Sequence, residues 1–87
     1  MDRESKFFKG LGARIKKLRQ DAGYSQEDMI SEGYSVRYWQ KVEAGKPITL
    51  RTLLRVCKIF STPIHEVVRG LDEIKGARIS ARKPSRK

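Results

Sequence analysis

The stretch from Ser25 to Pro47, SQEDMISEGYSVRYWQKVEAGKP, decides how this chain is read. Ser25-Gln26-Glu27-Asp28 has the form of a capping box, in which a hydroxyl and an acid three residues apart satisfy each other's backbone N–H groups. The two acids also sit at the positive end of the helix they open. Met29 and Ile30 supply an apolar face, and Gly33 interrupts the helix about two turns later. Ser35 caps a further helix, 36–44. Trp39 and Val42, three apart, point inward together, while Val36, Arg37, Gln40 and Lys41 form a second and more exposed face. Gly45 suits the end of this helix, and Lys46-Pro47 prevents its continuation.

Working outward, residues 7–22 carry Phe8, Leu11, Ile15, Leu18 and Ala22 at helical spacing, with Lys9, Lys16, Lys17 and Gln20 largely on the other side and Gly23 as the cap. Thr49 caps a fourth helix, 50–60, whose apolar positions are Leu50, Leu53, Leu54, Cys57 and Phe60, widened by Val56 and Ile59. Thr62-Pro63 opens a fifth helix, with Thr at the cap and Pro in the first turn; Ile64, Val67 and Val68 form its apolar side, and Gly70 ends it. No segment alternates as a half-buried strand does, and hairpin turns of the Asn-Gly or Asp-Gly kind are absent. The expected fold is all-α, five short helices within residues 1–74, followed by a basic tail over 75–87.

Composition narrows the function. The chain has 87 residues, room for one small domain. Its 20 Lys and Arg against 10 Asp and Glu give a net charge of +10. Residues 75–87 contribute six bases and no acid, so +6; the remaining fourteen bases and all ten acids leave +4 on residues 1–74. A polyanion is the natural partner, nucleic acid before an acidic membrane surface. No apolar run approaches the roughly 20 residues of a bilayer span, and the N-terminus MDRESKFFKG lacks the apolar core of a secretion signal. A single Cys57 excludes an internal disulfide and points to a reducing, cytoplasmic setting, and one Cys with one His makes no zinc site. No cofactor is expected. Paired carboxylates in a cleft, a nucleophile triad and a metal cluster are all missing, so an enzyme is not expected either.

A helix, a turn of three or four residues and a second helix between 26 and 44 have helix-turn-helix geometry. A helix about 10–12 Å wide fits the major groove of DNA, about 12 Å wide. The pieces LGARIKKLRQDAGYSQEDM, SVRYWQKVEAGKP and TLRTLLRVCKIFSTPIHEVV, within Leu11–Leu71, resemble the lambda-repressor/Cro-like family, the Xre-type helix-turn-helix regulators. The resemblance implies a five-helix domain that binds double-stranded DNA through its third helix. It implies base reading by Val36, Arg37 and Lys41, with Gln40 beside them. Arg37 or Lys41 would read guanine, Gln40 adenine and Val36 a thymine methyl. It implies phosphate contacts from Gln26, Ser35 and Lys46, and an ion pair between Arg19 and Glu43 that fixes the angle of the reading helix. Tyr38 either hydrogen-bonds a phosphate or half-buries.

The chain departs from the family pattern in three places. ISEGYS is one residue shorter than the usual connection. Ile30 stands where Ala is usual, and Trp39 faces it where Ile or Val is usual, so two large side chains would push these helices apart. Arg78, Arg82 and Lys83, in the tail outside the resemblance, would add phosphate contacts without sequence information. Trp39 and Cys57 read as core residues and His65 as a surface residue. The expected function is a sequence-specific transcriptional regulator. A DNA-binding antitoxin, a restriction-control protein, and an adaptor that keeps the fold but binds protein or RNA remain as alternatives. Val56, Ile59, Ile64, Val67, Val68, Leu71 and Ile74 offer apolar surface for a homodimer. With no room for a ligand-sensing domain, regulation would come from concentration, dimerisation or a protein partner.

Overall fold

The computed structural model describes residues 2–72, so the tail residues Arg78, Arg82 and Lys83 and the apolar Ile74 lie outside the described residues. Five helical segments follow one another: α1 over Arg3–Asp21, a 3-10 helix over Glu27–Glu32, α2 over Val36–Glu43, α3 over Leu50–Ile59 and α4 over Ile64–Val67. Among the described residues there is no strand.

α1 begins earlier than its apolar periodicity indicates. Asp2 caps it, its Oδ1 accepting from the Ser5 N–H at 2.8 Å, and this bond holds the Asp2 carboxyl below the usual carboxylate range. The first turn, Arg3–Lys6, is exposed and polar, so it carries no apolar signal. The Ser25 box forms reciprocally. Ser25 Oγ accepts from the Asp28 N–H at 3.1 Å, and Asp28 Oδ2 accepts from the Ser25 N–H at 2.6 Å.

The element that follows is 3-10 rather than α, and this corrects the expected clash between Ile30 and Trp39. Successive residues of a 3-10 helix point about 120° apart, so the core takes only one of Met29 and Ile30. It takes Met29, which is fully buried, and leaves Ile30 58% exposed. Trp39 packs instead against Tyr34, with ring centroids 5.5 Å apart, and Tyr34 stacks on Tyr38 at 5.7 Å. The short connection, turned at Gly33, thus brings an aromatic side chain to the crossing where Ile30 was expected.

α3 is rotated relative to the expected stripe. Leu53, Val56 and Cys57 are buried and Phe60 is half-buried, whereas Leu50 and Leu54 face outward at 64% and 51% exposure. Val56 and the α4 residue Val67 belong to the core, with Leu11 and Ile15 of α1 and Trp39 and Val42 of α2. They are therefore unavailable to a partner. Burial raises the Cys57 thiol pKa despite a smaller opposing backbone hydrogen bond, as suits a small apolar residue.

α4 is a single turn, and Pro63, not Thr62, holds its cap position. The Thr62 hydroxyl donates to the Phe60 carbonyl at 2.9 Å, satisfying the end of α3 instead. Arg14, given no role by the sequence pattern, secures the far end of α4. Its guanidinium donates to the carbonyls of Glu66, Val67 and Arg69 at 3.0–3.2 Å, tying α1 to the last helix.

α1 and α2 approach closely at Gly12. A Cβ there would lie 2.6 Å from the Val42 carbonyl oxygen and 2.7 Å from that of Glu43, both backbone atoms. A Cβ on Gly45, at φ 97°, would likewise lie 2.8 Å from the Lys9 Cα of α1. Gly12→Ala is expected to cost about 1–3 kcal/mol by forcing the helices apart. In thermal melts this corresponds to a fall of roughly 4–8 °C per kcal/mol for a domain of this size. Leu54→Ala, on the exposed face of α3, should melt within a few degrees of the parent.

Candidate nucleic-acid interface

α2 is built to present one face. Ser35 caps it, its Oγ accepting from the Tyr38 N–H at 3.0 Å, and Trp39 and Val42 pin it to the core. Arg37, Gln40 and Lys41 are on the outward side, with Val36 at the start of the helix. The one acid of α2, Glu43, does not reach that face, because its side chain is only 5% exposed. What the outward face offers is therefore two cations and an amide.

Glu43 is held from three directions. The Arg19 guanidinium, 8% exposed, donates from Nε to Oε2 at 2.5 Å and from Nη2 to Oε1 at 3.1 Å. The Trp39 indole N–H donates to Oε2 at 2.5 Å. The Gln26 amide donates to Oε1 at 3.1 Å. Burial alone would push this carboxyl up; the hydrogen bonds from Arg19, Gln26 and Trp39, with the Arg19 charge, outweigh it and hold the pKa below the usual carboxylate range. Arg19 also donates from Nη1 to the Tyr24 carbonyl at 2.8 Å, so α1, the turn after it and α2 share one knot.

From this knot the network reaches the surface. Gln40 Nε2 donates to Gln26 Oε1 at 3.2 Å. The half-buried Gln26 thus bridges the interior carboxylate and the exposed face, and retains one side-chain N–H for another acceptor. Ser35 and Tyr38 lie at the N-terminal end of α2, where the Ser35 hydroxyl keeps its proton free to donate and Tyr38 is partly exposed. Lys46 is exposed beyond the other end of α2, on a cleft it shares with Ser5 and Lys9. Spacing alone puts Lys9 on the polar side of the first helix and says nothing more of it. Its approach to Gly45 depends on packing between distant segments, for which the pattern holds no signal. Likewise the Trp39–Glu43 bond follows an i, i+4 spacing present in the sequence, while the Gln26–Gln40 bond crosses the turn and has no such signal. His65 is exposed, and among the described residues no cluster of His, Cys, Asp and Glu could hold a metal. No helix among them is long and apolar enough to cross a membrane.

Removing one side of the buried pair leaves the other charge without a partner. Arg19→Met is expected to cost about 3–5 kcal/mol. The lowered Glu43 pKa sets the sign of the acid response. Its stabilising contribution is complete above the ordinary carboxylate pKa and is lost as the pH falls through the lower, folded-state value. Melting temperature followed from pH 7 to pH 3 should therefore fall less steeply in Glu43→Gln than in the parent. An unchanged slope would show that Glu43 carries no linked stability.

Neither the curated proteins nor the solved structures provide a match. The family model described as a helix-turn-helix domain matches residues 10–69, from the middle of α1 to just beyond α4. With the capped α2 set across the knot on α1, and with that match spanning most of its length, the chain belongs to the helix-turn-helix domain family, a DNA-binding fold.

Proposed function

We propose that the chain is a sequence-specific transcriptional regulator of the lambda-repressor/Cro-like type, with α2 as the helix that enters the major groove of double-stranded DNA. The observation that carries this reading is the outward face of α2, where Arg37, Gln40 and Lys41 stand on a helix whose only acid is turned inward. On this reading Val36, Arg37, Gln40 and Lys41 meet base edges. Arg37 or Lys41 suits guanine, Gln40 adenine and Val36 a thymine methyl. Ser35, Tyr38, Lys46 and the spare N–H of Gln26 meet phosphates. Arg78, Arg82 and Lys83 add phosphate contacts on the strength of charge alone, since the +6 of residues 75–87 carries no acid to offset it.

The reading includes a homodimer on two half-sites about 34 Å apart. With Val56 and Val67 in the core, the surface left for it is Ile59, Ile64, Val68 and Leu71, of which Ile64 is the most exposed. Sedimentation at micromolar concentration, with and without duplex, should show a dimer in at least one condition; a monomer in both would remove the dimer from the account.

Two binding measurements separate base reading from phosphate contact. Arg37→Ala should cost about 1–3 kcal/mol on the preferred duplex and relax the preference at one base pair. An equal loss on every sequence would make Arg37 a phosphate contact instead. Deleting 75–87 should weaken binding to all duplexes and flatten the dependence of log K on log salt by several units, at about 0.9 for each phosphate that the tail neutralises. An unchanged slope would refute contact between the tail and phosphates.

A further inference from the structure

We infer that Glu43, buried and out of reach of any base, sets which base Gln40 accepts, by fixing the direction of a hydrogen-bond relay through Gln26. The inference rests on the reading above that α2 faces bases.

The relay has one allowed direction. An ionised carboxylate accepts hydrogen bonds and donates none. Glu43 already takes two bonds from Arg19 and one from Trp39, so the group facing it from Gln26 must be the amide N–H₂, at 3.1 Å. That turns Gln26 Oε1 the other way, toward Gln40. An oxygen there can only accept, so Gln40 must donate from Nε2, at 3.2 Å. One N–H of Gln40 is thereby occupied. What remains for a ligand is its Oε1 and the second N–H, one acceptor beside one donor.

This pattern discriminates between bases. Adenine offers N7 as acceptor and the N6 amino group as donor in the major groove, which complements an amide edge with one of each. Guanine offers two acceptors, O6 and N7, and wants two donors. A freely rotating glutamine amide adapts to both. A glutamine whose oxygen is committed to the groove meets guanine with acceptor against acceptor. The buried charge on Glu43 thus disfavours guanine at a distance, through two amide groups whose flipped forms would each lose a hydrogen bond. Arg37 and Lys41 have no part in the relay, so their positions should not respond to it.

Replacing Glu43 by Gln makes the opposite direction available. The new amide can accept from Arg19 and Trp39 through its oxygen and donate its N–H₂ to Gln26 Oε1. Gln26 then donates to Gln40 Oε1, and Gln40 turns both of its N–H groups outward, a pattern that suits guanine. Gln26→Ala breaks the relay and removes one hydrogen bond from Glu43, but leaves the bonds from Arg19 and Trp39 in place, so it frees Gln40.

The test is selection from a randomised duplex library at fixed salt, with the full-length parent, Gln40→Ala, Gln26→Ala and Glu43→Gln, each first checked for helical content and a cooperative melt. Gln40→Ala identifies the base pair that Gln40 reads, and the parent should select adenine there. Gln26→Ala and Glu43→Gln should each lower the preference for adenine over guanine at that pair by about tenfold, the scale of one bidentate contact, while the other positions keep their preferences. Relaxed preference at every position alike is what a purely structural role would produce, and it would overturn the inference. So would undiminished adenine selection in Gln26→Ala, which decides the matter even if Glu43→Gln fails to fold. In either case the parent motif would still stand. Failure of the parent itself to select any motif would instead overturn the reading of α2 on which the inference rests.

Discussion

A carboxylate closed off from water has to be satisfied from every side, and the arrangement of this molecule follows from how Glu43 is satisfied. Arg19 reaches it from α1, Trp39 from within α2, and Gln26 from the start of the 3-10 helix. Each donor comes from a different part of the chain, so the bonds form together only at one relative angle of the helices. Desolvating a charge is costly, and its attraction to Arg19 offsets that cost only when geometry and the additional hydrogen bonds are good. The penalty for any other angle is what makes the arrangement specific. The close contact of Gly12 with the α2 carbonyls works in the same direction, since it lets α1 come near enough for Arg19 to reach.

The same carboxylate divides α2 into an inner and an outer half. Because Glu43 is turned inward, the outward half shows Arg37, Gln40 and Lys41 with no acid among them. Most of the +10 charge lies elsewhere and suits attraction to a polyanion rather than discrimination. On the proposed function, affinity falls to the scattered bases and the tail, and selectivity to a few side chains on one rigid helix.

Much of the fold is legible in the sequence because its signals are local. Ser25 with Asp28, Ser35 and Thr49 are caps that act within three residues, and all three bond as their positions suggest. Trp39 and Val42 share a face by spacing alone. The features that the sequence conceals depend on packing between segments. Leu50 and Leu54 fit a helical stripe as well as Val56 does, and only packing into the common core selects the stripe containing Val56. Ile30 and Met29 are equally apolar neighbours, and the 3-10 geometry chooses between them. Thr62 has the look of a cap, yet the open carbonyl at the end of α3 claims its hydroxyl. The outward residues of α2 can be named from the sequence because exposure follows from period. The Gln26–Gln40 bond and the Arg14 clamp on α4 cannot, since neither partner is near the other in sequence.

On the proposed function α2, and no other element, reads bases. The most direct measurement is amide and side-chain chemical-shift mapping of isotopically labelled protein, titrated with a duplex it selects and with an unrelated duplex of equal length and salt. The selected duplex alone should produce large shifts in the side chains of Arg37, Gln40 and Lys41, while both duplexes perturb the phosphate-contacting groups. Shifts of equal size with both duplexes along α2, or specific shifts centred on α3 or α4, would contradict it.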